Sequence, residues 1–175
     1  ASPLPLPLRL PLPMLLAIET STRNGSVALL DGDSVLAERF LGADTSRELA
    51  PAVAEMVPDL TAIEAYAISV GPGSFTGLRI GISFMKGLAM VHRRPAVPIS
   101  SLEIIATQLA EAHPDRELFL AVLDARKGEV FAALFRREGA RVAIDPRLLE
   151  GVHLFDRLTP IEGAIASGEA AQAAS

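Results

Sequence analysis

The sequence predicts an α/β fold, a mixed sheet with helices on both faces, followed by a second and shorter round of the same plan. Three observations carry that expectation. Three strand-like runs follow one another from Met14, helix and strand then alternate to about Ala112, and two more strand-like runs begin at Leu118.

The elements follow in order. MLLAIET (Met14–Thr20) is almost wholly apolar and suits a central, buried strand. SVALLDG follows the polar turn Ser21–Gly25, and Asp31-Gly32 is a hairpin signal into SVLAERFLG. Thr45-Ser-Arg-Glu48 matches a capping box and opens a helix toward Val57, closed by Pro58. Pro51 inside that stretch is expected to kink the helix or move its start later. Thr61-Ala-Ile-Glu64 matches the same capping pattern but runs straight into a strand, Ala65–Val70, so no helix is expected there. A glycine-rich turn leads to a helix over Leu78–Val91. Ala96–Ile99 reads as a short strand, and Ser100-Ser-Leu-Glu103 caps a helix to about Ala112. Three strands, helix, strand, helix, strand, helix is the ribonuclease-H-like order. The second round offers FLAVLDA and EVFAALFRR joined by the turn Arg126–Gly128, then Arg141–Ile144, then a weak helix after Thr159-Pro160.

The first thirteen residues, ASPLPLPLRLPLP, hold five of the 13 prolines and stand outside the fold. Proline at every second residue forbids a helix and suits an extended arm. This leader is expected to be disordered or an artefact of the assigned start, with Met14 the natural first residue. The chain has no cysteine, which excludes disulfides and thiolate metal sites and fits a reducing cytoplasm. A net charge of −5 argues against a domain that grips nucleic acid by itself. Apart from the prolines the chain offers no run of the roughly eighteen apolar residues that a membrane helix needs, so no membrane partner is expected.

AYAISVGPGSFTGLRIG (65–81) places glycines between a strand and a helix, the setting of a nucleotide loop. The spacing matches neither common phosphate loop. Thr76 stands where the third glycine of a dinucleotide fingerprint belongs, and no lysine follows Gly77 before Lys86. The bland alternative is a sharp turn with Ser74 or Thr76 capping the helix. The helix is more telling, because Arg79 and Lys86 are its only charges before His92. Gly77 and Gly81 share one face, and Ser83 and Gly87 share another. Helical glycine costs about 1 kcal/mol against alanine, so close backbone approach by a neighbour is expected to offset it. That neighbour is either the same domain or a second protein chain. Ser74 as a nucleophile has no histidine or acid near it in sequence. His92, His113 and His153 are 21 and 40 residues apart, so no helical metal pair exists. The residues therefore indicate no catalytic and no metal site.

Gly71-Pro-Gly-Ser-Phe-Thr-Gly-Leu-Arg-Ile-Gly81 closely resembles the signature of the bacterial TsaB (YeaZ) family. Leu15–Thr22 with Ser26–Leu29 is similar to that family's first strands, Leu49-x-Pro51 to its first helix, and Asp124–Phe131 to its second-lobe hairpin. The chain has Glu19 where the family usually has aspartate, and Thr45-Ser46-Arg47 where it usually has His-Ser-Glu. The resemblance implies an actin/Hsp70-like fold of two ribonuclease-H-like lobes, here 14–112 and a shortened 113–175. It implies a non-catalytic subunit in adding threonylcarbamoyl to the adenosine next to the anticodon of tRNA. The partners implied are the catalytic TsaD, as a heterodimer, and the ATPase TsaE, with tRNA met only through the complex and a homodimer when alone. The implied interface comes from Ser46, Leu49, Pro51, Val53 and Met56 of the first helix. The turn and second helix add Gly73, Ser74, Phe75, Thr76, Gly77, Leu78, Arg79, Gly81 and Met85. No cofactor is expected on the isolated chain, where Glu19 and Asp124 are the weak candidates for one. ATP and magnesium are implied only for the complex. The competing expectation is an actin-like nucleotide enzyme or a peptidase acting alone.

Overall fold

A computed structural model of the chain describes residues 14–42, 44–148, 150–154 and 164–167. The first sheet has the order β3-β2-β1-β4-β5, with β1 Met14–Glu19, β2 Ser26–Asp31, β3 Ser34–Phe40, β4 Ala65–Ser69 and β5 Ala96–Ile99. β1 pairs antiparallel with β2 and parallel with β4, as a meander followed by crossovers requires. α1 (Thr45–Met56) and α2 (Phe75–His92) supply the helices. The first core joins Leu16, Ile18 and Val27 of the sheet to Leu49 and Val53 of α1 and Met85 of α2. The pleat sends alternate residues to opposite faces, so Ala17, Ala28, Ala67 and Ser69 lie on the side away from these helices.

The second sheet has the order β10-β6-β7-β8, with β9 also paired to β7. Its strands are β6 Leu118–Arg126, β7 Glu129–Glu138, β8 Arg141–Ile144, β9 Gly151–Leu154 and β10 Ala164–Ser167. α3 (Ser101–Ala112) packs here through Leu102, Ala106 and Leu109 against Phe119, Leu123 and Phe135. The result is an α/β fold of two lobes, the first with the ribonuclease-H-like strand order β3-β2-β1-β4-β5.

Four expectations change. Helices were expected on both faces of the first sheet, yet among the described residues α1 and α2 share one face and α3 packs on the second sheet. Among the described residues the two packing clusters part between β5 and α3. Pro51 neither delays nor breaks α1. Asp44 caps the helix by accepting from Arg47 N–H, and the Glu48 carboxylate accepts from Gly42 N–H at 2.8 Å. Pro51 sits on the exposed side, where the carbonyl it leaves unpaired can meet water. Ala164–Ser167, expected in a helix after Thr159-Pro160, is strand β10, parallel to β6. The residues between Phe155 and Gly163, and the leader 1–13, lie outside the described residues. At Thr61–Glu64 a single 3₁₀ turn, Leu60–Ala62, stands where no helix was expected.

Three arginines fasten the second lobe. Arg137 donates to the carbonyls of Ala110 (2.7 Å), His113 (3.0 Å) and Arg116 (3.0 Å), which closes the C-terminal end of α3. Its guanidinium lies 5.2 Å from the Phe119 ring centre. Asp145 is buried and accepts from Arg147 at 2.9 Å and from Arg136 at 2.8 Å. Hydrogen bonds from the Arg147 side chain, then Arg136, then the Arg147 backbone N–H hold its carboxyl far below the usual carboxylate range. A folded-state pKa below the unfolded value adds stability that is complete above about pH 4 and fades as acid titrates the carboxylate. Urea midpoints of the wild-type chain are thus expected to fall as pH drops from about 4 toward 2. Asp145→Asn should lose that component of the slope. An equal slope in the two proteins would mean that Asp145 is not the group responsible.

Candidate partner-binding surface

The glycine turn is built to bring α2 onto the end of β1. Gly71 and Gly73 have φ of +105° and +151°, values that side-chain-bearing residues rarely adopt. Ser74 N–H donates to the Ser21 carbonyl at 2.6 Å, and the Ser74 hydroxyl accepts from Gly77 N–H at 3.2 Å. Two amides of the loop are thus engaged within the protein, and Ser74 is the helix cap. The helix starts at Phe75, three residues before the expected Leu78. A Cβ on Gly77 would lie 2.1 Å from the Thr20 carbonyl oxygen, and one on Gly81 would lie 2.2 Å from Thr20 Oγ1. The close approach foreseen for these glycines is made by the chain's own first strand.

The opposite face of α2 is open. Phe75 is 73% and Met90 79% exposed, and Thr76, Arg79, Ser83, Lys86 and Gly87 are exposed between them. Steps of three and four residues make this one stripe along the helix. Arg79 stands 5.4 Å from the Phe75 ring centre, and nothing lies within 4 Å of a Cβ on Gly87. The exposed residues of α1, Ser46, Arg47, Ala50, Pro51, Ala54 and Glu55, are small or polar except for the proline ring.

A cleft of about 630 Å³ lies elsewhere, between the small-residue face of the first sheet and α3. Glu19 lines it, but its Oε1 already accepts from Ser21 N–H (2.5 Å), the Ser21 hydroxyl and the Ser69 hydroxyl (3.1 Å). Asp124 does not line the cleft. It is exposed and accepts from Arg126 N–H at 2.7 Å within its own hairpin, where Arg126, Lys127 and Gly128 all have positive φ. Asp124 is thus engaged within its own hairpin, and Glu19 Oε1 by its own neighbours. Among the described residues no three His, Asp or Glu side chains are placed to hold a metal ion. Among the described residues, too, no helix is long and apolar enough to cross a membrane.

Comparison with known proteins agrees with the loop and the topology. The chain is 36% identical over 132 residues to the tRNA threonylcarbamoyladenosine biosynthesis protein TsaB of Haemophilus influenzae, covering 73% of this chain and 56% of that protein. It is 37% identical to the Escherichia coli TsaB, covering 71% and 55%. The chain belongs to the TsaB family. The solved YeaZ from Pseudomonas aeruginosa superposes with a TM-score of 0.78 at 31% identity, over 90% of this chain and 75% of that one. A family model described as TsaD, tRNA N6-adenosine threonylcarbamoyltransferase, matches residues 44–172. The chain spans just over half the length of the curated TsaB proteins it matches.

The interface residues implied by the TsaB resemblance divide in two. Ser46, Pro51, Ser74, Phe75, Thr76 and Arg79 face outward, while Gly73, Leu78 and Met56 are half-buried. Leu49, Val53, Gly77, Gly81 and Met85 are buried within the first lobe and take no part in the exposed stripe. Ser83, Lys86, Gly87 and Met90 share the exposed stripe but are not among the residues the resemblance implies. Counting by fours from Phe75 reaches Ser83 and Gly87 and would have found that part of the stripe.

Proposed function

We propose that the chain is a non-catalytic subunit in the addition of threonylcarbamoyl to tRNA, acting through association with the TsaD transferase. The outward stripe of α2 from Phe75 to Met90, beside the exposed side of α1, is the surface that pairs. The observation that carries this reading is the stripe itself, two exposed large apolar residues with small Ser83 and Gly87 between them on one helix. Small residues let a partner helix come close, and the end residues fill its grooves. Alone, the chain self-associates through the same face and buries roughly 1,200–2,000 Å² in total. The assembly is cytoplasmic and also binds the ATPase TsaE. It takes ATP and magnesium at sites of the complex and meets tRNA only as a complex. The engaged amides of the glycine turn, and the hydrogen bonds that Glu19 and Asp124 already accept from their own chain, support a chain that does no chemistry by itself.

Light scattering with size-exclusion chromatography tests this on the chain alone and mixed with the same organism's TsaD. A self-dimer that converts to a one-to-one heterodimer is expected. Gly87→Arg puts a long cation into open space on the stripe, so it should abolish both associations while leaving the far-ultraviolet circular dichroism spectrum of the folded chain unchanged. A wild-type chain that stays monomeric and ignores TsaD would overturn the proposal.

A further inference from the structure

We propose that the cleft between the first sheet and α3 is a binding site for an organic ammonium group carried on an apolar body. The cleft holds about 630 Å³, the size of a small-molecule pocket. Among the described residues lining it, the two charged ones are both acidic, Glu19 and Glu38. A phosphate or carboxylate placed there would meet two negative charges and no cation, which in a partly desolvated site is repulsive. An ammonium group meets the reverse.

Two polar groups in the cleft have capacity left. Glu19 Oε1 is filled by donors of its own chain, but Oε2 receives only a long contact from the Thr22 hydroxyl, at 3.4 Å. Ser101 is 3% exposed and lines the cleft, and its hydroxyl has no hydrogen-bond partner among the described residues. A buried hydroxyl left unpaired is costly, and a ligand N–H would satisfy it. Ile104 and Ile105 of α3 form an apolar wall facing these groups. The exposed ring of Phe40 lies on the rim, where a cation can sit against its face. Carboxylates, a free hydroxyl and an apolar wall together suit a protonated amine with a hydrophobic body, either a free amine or a lysine side chain of a peptide.

The test is calorimetric titration of the chain with benzylammonium, with benzoate and magnesium–ATP as the opposite-charge probes. Saturable one-to-one binding of benzylammonium is expected, with no competition by benzoate or ATP. Glu38→Gln, at an exposed position where folding is not at risk, should weaken binding about two- to fivefold. Glu19→Gln should weaken it about tenfold, since a charge-assisted bond becomes a neutral one. An amidated lysine-containing tripeptide separates the two sources: tighter binding than benzylammonium points to a peptide, weaker binding to a free amine. Absence of saturable benzylammonium binding, equal binding of benzoate, displacement by ATP, or unchanged affinity in both variants would overturn the site.

Discussion

Gly77→Ala is expected to cost the first lobe at least about 3 kcal/mol, a large loss for one methyl group. In an open helix the same change would gain up to about 1 kcal/mol, because alanine is the better helix former. Here the new Cβ would lie 2.1 Å from the Thr20 carbonyl oxygen. The oxygen belongs to backbone and the Cβ position is fixed by it, so no rotamer change relieves the contact. Either α2 lifts from β1, disturbing the packing of Met85 against Leu16 and Ile18, or the loop from Thr20 to Gly25 moves. Gly87→Ala on the same helix has nothing within 4 Å and should be neutral or stabilising. Urea unfolding of the two variants beside the wild type checks this. If Gly77→Ala unfolds at the wild-type midpoint, the helix does not press on the strand as described.

The same contact marks how far the sequence could be read. That Gly77 and Gly81 needed a close neighbour followed from their cost in a helix. That the neighbour is Thr20 did not, because the contact joins residues more than fifty positions apart. The regular elements were legible where local chemistry specifies them. Asp31-Gly32 made the hairpin, Ser100 capped α3 and Ser74 capped α2. Asp44 was missed as the cap of α1 because the Thr45–Glu48 pattern one residue later looked complete. The amphipathic pattern of α3 required a buried face but did not say which sheet would cover it. Strands β9 and β10 are four residues each, GVHL and AIAS, too short to show a period, and β10 exists because β6 offers it an edge. The outward stripe of α2 was present at helical spacing, yet the nominated interface followed the glycines and so included the inward face. The cleft needed Ser69, Ser101 and Glu38 from three separate elements, a juxtaposition that only tertiary structure provides.

The separate packing of the two lobes leads to the second large effect. Phe119→Ala is expected to cost about 3–5 kcal/mol, with the loss confined to the second lobe. Phe119 is fully buried on β6, pairs with Phe135 across the β6–β7 ladder, and packs in one cluster with Leu102, Ala106 and Leu109 of α3. Its ring also lies under Arg137, whose donors close the end of α3, so truncation removes the support of that cap as well as apolar contact. Leu16, Tyr66 and Met85 belong to a different cluster and keep all their neighbours. Amide exchange should therefore quicken in α3, β6 and β7 and stay slow in β1, β4 and α2. The α2 stripe would remain in place, so the proposed self-association should survive a variant whose second lobe is loosened. Uniform loss of protection in both lobes would show instead that α3 couples the two cores into one cooperative unit, and that the boundary between β5 and α3 has no energetic meaning.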